Sequence, residues 1–167
     1  MGIATFKPDA LPCSLDVPEL IQQPIEAAGR SLIFTGVSVG NPHCVVFKPT
    51  GESWSRDELL ALGPALEHHK LFPKRTNVQL VVPTGRNEVF ILIWERGAGE
   101  TQASGSSSCA AASAAVRLGL VKSPVTVKMP GGVLNIDVAP DFSLTMKGPV
   151  AEVARGTLSP SFIRGLK

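Results

Sequence analysis

The alternation of apolar and polar positions divides this chain into short elements. Leu32 to Val39 is β-branched and apolar and predicts a strand, and Cys44 to Lys48 predicts a second. Gly40-Asn41-Pro42-His43 lies between them and reads as a turn. Ser55-Arg56-Asp57-Glu58 has the form of a capping box, with Ser55 as the cap and Glu58 reaching back to it. The helix it opens places Leu59, Leu60, Leu62 and Leu66 on a buried side, and Gly63-Pro64 is expected to interrupt it. Val78 to Val82 and Val89 to Trp94 read as a strand pair joined across Thr84-Gly85-Arg86-Asn87. Ser106 to Leu118 is the strongest helix, rich in alanine and stopped by Gly119. It has almost no polar side, so it predicts burial nearly all round. Val125 to Met129, Val133 to Val138 and Ser143 to Lys147 follow as strands, with turns at Gly131-Gly132 and Pro140-Asp141. Residues 1 to 30, broken by Pro8, Pro12, Pro18 and Pro24, are expected to be irregular. Strands around a single buried helix make an α+β domain.

Composition narrows the class. At 167 residues, 44% apolar and 18% charged, the chain is long enough for one domain with a real core. A net charge of +2 is too small to imply a nucleic-acid or membrane partner. No apolar run nears the roughly 20 residues a bilayer span needs, and no charged-then-apolar leader opens the chain, so the expected location is cytoplasmic. The three cysteines, Cys13, Cys44 and Cys109, form no CxxC pair and suggest neither a disulfide framework nor a zinc knuckle. Adjacent His43 and Cys44 would point to opposite faces of a strand, and His68-His69 suits a helix C-terminus, so no metal site is expected.

The stretch from Trp94 to Cys109, WERGAGETQASGSSSC, carries the candidate chemistry. A loop of small residues runs straight into a helix N-terminus, where the first N–H groups lack intrahelical partners and the dipole favours negative charge. The N–H groups of Gly105, Ser106 and Ser107 would hold a carboxylate or phosphate, with Ser104 just ahead of them. The loop lacks the third glycine of a dinucleotide fingerprint, the lysine of a P-loop and the closing glycine of a hydrolase elbow. The serines also fit a plainer reading, as caps of a buried helix.

Three segments, Gly40-Asn41-Pro42-His43-Cys44-Val45, Phe72-Pro73-Lys74-Arg75-Thr76-Asn77-Val78 and Glu95 through Ala110, together resemble the diaminopimelate epimerases, in family order and spacing. The resemblance covers about Met1 to Val153 and concerns the C-terminal half of that family. It implies a fold of two pseudo-symmetric halves, each of mostly antiparallel strands wrapped around one Ala-rich helix, with the active site between them. Residues 1–153 would form the C-terminal domain, and residues 154–167 a tail returning to the other half. The implied activity is amino-acid epimerisation without a cofactor, LL- to meso-diaminopimelate in lysine and peptidoglycan biosynthesis, with two thiols on opposite faces of the substrate. By position, Asn41 and Asn77 would bind substrate, His43 and Glu95 would flank the reacting carbon, and Arg96 would pair with a distal carboxylate. Gly105 and Ser106 would receive the α-carboxylate. The partners implied are an amino-acid substrate and either the missing N-terminal half or a second copy of this chain. The chain is then either a piece of a longer one or needs a second polypeptide.

One position departs from the family pattern. The catalytic cysteine falls at Ser104, and Cys109 matches a non-catalytic cysteine inside the helix. A thiol has a pKa near 8.5 that a helix N-terminus lowers, whereas a serine hydroxyl does not ionise without a neighbouring base. Four readings stay open: a related isomerase or dehydratase using one strong base, His43 or Glu95 acting as base for Ser104, a substitution that disarms the enzyme, or a non-catalytic relative that binds small molecules or a subunit.

Overall fold

The computed structural model describes residues 1–166. Its strands are β1 (Gly2–Ile3), β2 (Gln23–Ala27), β3 (Arg30–Ser38), β4 (Pro42–Phe47), β5 (Asn77–Gly85), β6 (Glu88–Glu95), β7 (Gly99–Thr101), β8 (Val125–Met129), β9 (Gly132–Val138) and β10 (Ser143–Lys147). The helices are α1 (Arg56–Glu67), α2 (Gly105–Arg117) and the short α3 (Pro160–Arg164). Nine strands form one path, β1-β10-β9-β8-β6-β5-β4-β3-β2, and β7 adds to β6. Neighbours are antiparallel except β4 with β5 and β6 with β8. No helix of the described residues is long and apolar enough to cross a membrane.

The sheet curls. Thr5, just past β1, exchanges backbone hydrogen bonds with Ser38 at the end of β3, so the two ends of the strand path come together. α2 lies inside this curl, packed against strands from β3 to β10, and every residue from Ser107 to Ala115 is buried. Alanine suits this position because small side chains let the surrounding strands approach the helix from all sides. Val37, Val45, Val81, Ile91, Val127 and Ile136 complete that inner core.

A second helix covers the outer face, which the sequence reading did not anticipate as a separate layer. α1 lays Leu59, Leu62 and Leu66 on Phe34, Cys44, Val78 and Leu80, which point away from α2. The central strands are therefore covered on both faces, and β4 is buried from Pro42 to Val46.

Four local expectations are corrected. α1 is not interrupted at Gly63-Pro64 but runs on to Glu67. Pro64 leaves only the carbonyl of Leu60 without its partner, and Leu60 is on the solvent side. Gly63 is there because a Cβ would lie 2.5 Å from the Trp94 ring. Residues 1 to 30 are not irregular throughout: they contain β1 and β2 and bury Leu11 and Leu20. Pro24 is tolerated because β2 is an edge strand. The turn after β3 is Val39-Gly40-Asn41, since β3 ends at Ser38 and Pro42 and His43 already begin β4. The glycine-rich loop after β6 is a tight hairpin, with Glu95 opposite Gly99 and Ile93 opposite Thr101. The packed part of the chain ends near Pro149, for Val150 and Val153 are each 96% exposed. Lys167, the last residue of the expected tail, lies outside the described residues.

Candidate active site

Ser104 is the N-cap of α2. Its backbone is extended, and its Oγ accepts from the N–H of Ser107 at 3.4 Å. Its carbonyl is taken by the N–H and hydroxyl of Ser108. The next two N–H groups, of Gly105 and Ser106, find no hydrogen-bond acceptor among the described residues. These are the orphan donors a helix start always leaves, and they face positive along the dipole. Gly105 sits against Met146, whose Sδ would be 3.0 Å from a Cβ there. Beside Ser104 and Gly105 opens a hollow of about 260 Å³, walled by Met129, Val133, Leu134 and Pro149. Backbone contact between Gly131 and the carbonyl of Gln102 at 2.7 Å holds the β8–β9 turn against the approach to α2.

The neighbours of Ser104 bear on its chemistry. Among the described residues its Oγ meets only the Ser107 N–H and the Ser106 hydroxyl, the latter at 3.5 Å. Neither His43 nor Glu95 is hydrogen-bonded to it, so among the described residues nothing is placed to take its proton.

His43 lies deeper than a substrate-facing residue would. It is fully buried, and its Nε2 is 3.0 Å from Asn41 Oδ1. Burial drives its pKa down to about 3, opposed by contact with Gln79 and aided by the charge of Arg96, so the ring is neutral at pH 7. The structure thus brings His43 and Asn41 together, with His43 holding the Asn41 amide from behind.

Asn77, at the start of β5, bridges two segments. Its Nδ2 donates to the Pro42 carbonyl at 2.8 Å and its Oδ1 accepts from the Arg96 N–H at 2.9 Å. It ties the Asn41 turn to the loop bearing Glu95 and Arg96. Glu95 is half-buried, and its carboxylate meets no hydrogen-bonding or ionic partner among the described residues. Arg96 is exposed, with its guanidinium near the Lys74 carbonyl at 3.2 Å.

Sequence reasoning missed Glu67. This carboxylate at the end of α1 is buried, and it accepts from Trp94 Nε1 at 2.7 Å, Gly97 N–H at 2.8 Å and Arg75 at 3.3 Å. Burial pushes its carboxyl up, but these donors and the charges of His68 and Arg75 outweigh it and hold the pKa below the usual range. An ionised Glu67 therefore fixes both sides of the Glu95-Arg96 turn. The available signal was its position four residues beyond Gly63, on the side of α1 that faces Trp94. Gln79 and Ser107, joined at 3.1 Å beneath the same region, were also missed. Cys109 is buried one turn inside α2 and its thiol is pushed up to about 11 by desolvation.

The motif-bearing segments thus converge on one end of the sheet, and comparison with known proteins settles their ancestry. The family model described as diaminopimelate epimerase matches residues 35–153. This chain belongs to the diaminopimelate epimerase family. The diaminopimelate epimerase of Synechococcus sp. (strain JA-3-3Ab) is 42% identical over 160 residues, 94% of this chain and 56% of that protein. Those of Azotobacter vinelandii and Methanothermobacter thermautotrophicus are 43% and 39% identical, each sharing 55% of its own length with this chain. The chain spans about half the length of these epimerases.

Proposed function

We propose that this chain is the substrate-holding half of a cofactor-independent amino-acid epimerase acting on diaminopimelate, completed by a second half of similar size. The observation that carries this reading is the start of α2, where Gly105 and Ser106 offer two unpaired N–H groups beside Ser104. That is a receptor for an α-carboxylate. Glu95 and Arg96 stand on a turn held rigid by Asn77 and Glu67, so a free carboxylate and a cation are offered at fixed positions. Arg96 suits a distal carboxylate such as diaminopimelate carries.

Inversion at carbon needs a proton acceptor and a donor on opposite faces. This half supplies one face, and Ser104 there is a weak acid with no base beside it. A second reading follows from that same observation: a relative whose chemistry depends on one strong base in the other half, with Ser104 donating a proton or orienting water. The test is substrate titration of the assembled protein, read at the backbone amides of Gly105 and Ser106. Diaminopimelate should shift both, and Arg96→Met should weaken diaminopimelate at least tenfold while leaving alanine unaffected. No shift at either amide would overturn the reading.

A further inference from the structure

The turn that carries Glu95 and Arg96 is closed by the Ala98 N–H, which donates to the Glu95 carbonyl at 3.0 Å, and Gly97 at its corner has a φ of +79°. Two of its N–H groups are taken by side chains from elsewhere, that of Arg96 by Asn77 and that of Gly97 by Glu67 at 2.8 Å. The loop from Phe72 to Thr76 stands on the other side of Arg96. Its Lys74 carbonyl accepts from the Arg96 guanidinium at 3.2 Å. Arg75, the next residue, has a left-handed φ of +59°, uncommon for a residue with a side chain. It is held there from two directions: its N–H donates to the Phe72 carbonyl at 2.8 Å, and its guanidinium reaches Glu67 at 3.3 Å. The N–H of Thr76 then donates to the main-chain carbonyl of Glu67, also at 3.3 Å. A single residue at the end of α1 thus holds the chain on both sides of Arg96.

The chemistry of the partners demands a carboxylate here. An indole N–H, a main-chain N–H and a guanidinium can only donate, so Glu67 accepts from all three. Its Oε2 takes Trp94, and its Oε1 takes Gly97 and Arg75. The side chain is buried, so a donor left without its oxygen would find little water to replace it. We propose that Glu67 is a positioning residue for substrate specificity: by tying the Gly97 turn to the Lys74-Arg75 loop, it holds the Arg96 guanidinium where only a substrate with a second, distal carboxylate can reach both it and the start of α2. Glu67 touches no substrate itself and acts through Arg96. The receptor for the α-carboxylate is built on α2 and does not depend on this anchor. The role in specificity rests on the proposed function. The anchoring of the two segments does not.

The anchor is tested without substrate in Glu67→Gln. Glutamine keeps the length but has one oxygen, so it can accept from Trp94 or from the Gly97 and Arg75 side, not from both. At least one of the Gly97 amide and the Trp94 indole N–H should then exchange with solvent about tenfold faster or more, read by NMR. Both protons remaining as protected as in the parent would overturn the anchor. Specificity is read on the protein assembled with its second half. There Glu67→Gln should weaken diaminopimelate by about tenfold or more and alanine by less than about twofold, because alanine needs only the α-carboxylate receptor. Equal losses for the two would make Glu67 a general scaffold residue and overturn the proposal, as would unchanged binding of diaminopimelate. Arg75→Gly is the second variant, useful if Glu67→Gln does not fold. Glycine fits the left-handed backbone, so the fold should hold while the guanidinium is lost. Diaminopimelate should again weaken selectively, and a loss shared by alanine, or no loss, counts against the proposal. A parent that binds no diaminopimelate contradicts the proposed function instead, and the exchange rates of Gly97 and Trp94 still decide the anchor.

Discussion

Ser104 is the residue on which the proposed function turns. As the N-cap it already does what a serine does well at a helix start. A thiol in its place would feel the same dipole and the same nearby N–H donors. Ser104→Cys should therefore have a pKa below 8.5, by a unit or more. The pH dependence of alkylation measures it, and Cys109 serves as an internal control because its buried thiol should stay unmodified. The helix start at Ser104 and Gly105 was legible in the sequence because capping chemistry marks it. The depth of His43 was not. Strand alternation tells inside from outside only when one face is wet, and β4 is covered by α2 on one side and by the α1 layer on the other. For the same reason the roles of Gln79 and Glu67 stayed hidden, since each depends on partners distant in sequence.

Among the elements, the helix boundaries were the most readable. The capping box at Ser55 and Glu58 forms in both directions, and α2 begins and ends within one residue of expectation. Local chemistry sets such ends. Continuation of α1 through Pro64 was not readable, because it depends on the Leu60 carbonyl, which loses its partner, lying on the solvent side. The cap also has a pH signature. Burial raises the Glu58 carboxyl, but Lys48, the Ser55 N–H and Arg30 together bring it to about 2. A carboxyl depressed in the folded state adds stability that is present above its unfolded value, about 4.3, and is lost as pH falls through the folded one. The stability difference between the parent and Glu58→Gln should thus be constant above about pH 5 and shrink between about pH 4.3 and pH 2. Urea denaturation at a series of pH values checks this. A difference unchanged at pH 2.5 would mean that the Glu58 charge contributes nothing to the cap.

At the scale of the molecule, the α+β class and most of the sheet were readable, whereas its curl was not, because the Thr5–Ser38 bridge joins segments that no local pattern pairs. The tail is the other large-scale feature. From Val150 onward the apolar side chains Val150, Val153, Leu158, Phe162 and Ile163 are exposed, which is unfavourable for that much apolar surface. If the tail docks on the proposed second half, amide hydrogen exchange across residues 150–166 should slow at least tenfold when that half is supplied. Unchanged exchange would remove the tail from the interface. The central proposal is that Ser104 occupies the position of a proton-transferring group. It is tested most directly by following deuterium wash-in at the α-carbon of diaminopimelate, with the second half present, for the parent and for Ser104→Cys. The account predicts at least tenfold faster exchange for the variant, equivalent to about 1.4 kcal/mol of barrier, while equal rates in a folded, substrate-binding variant would contradict it.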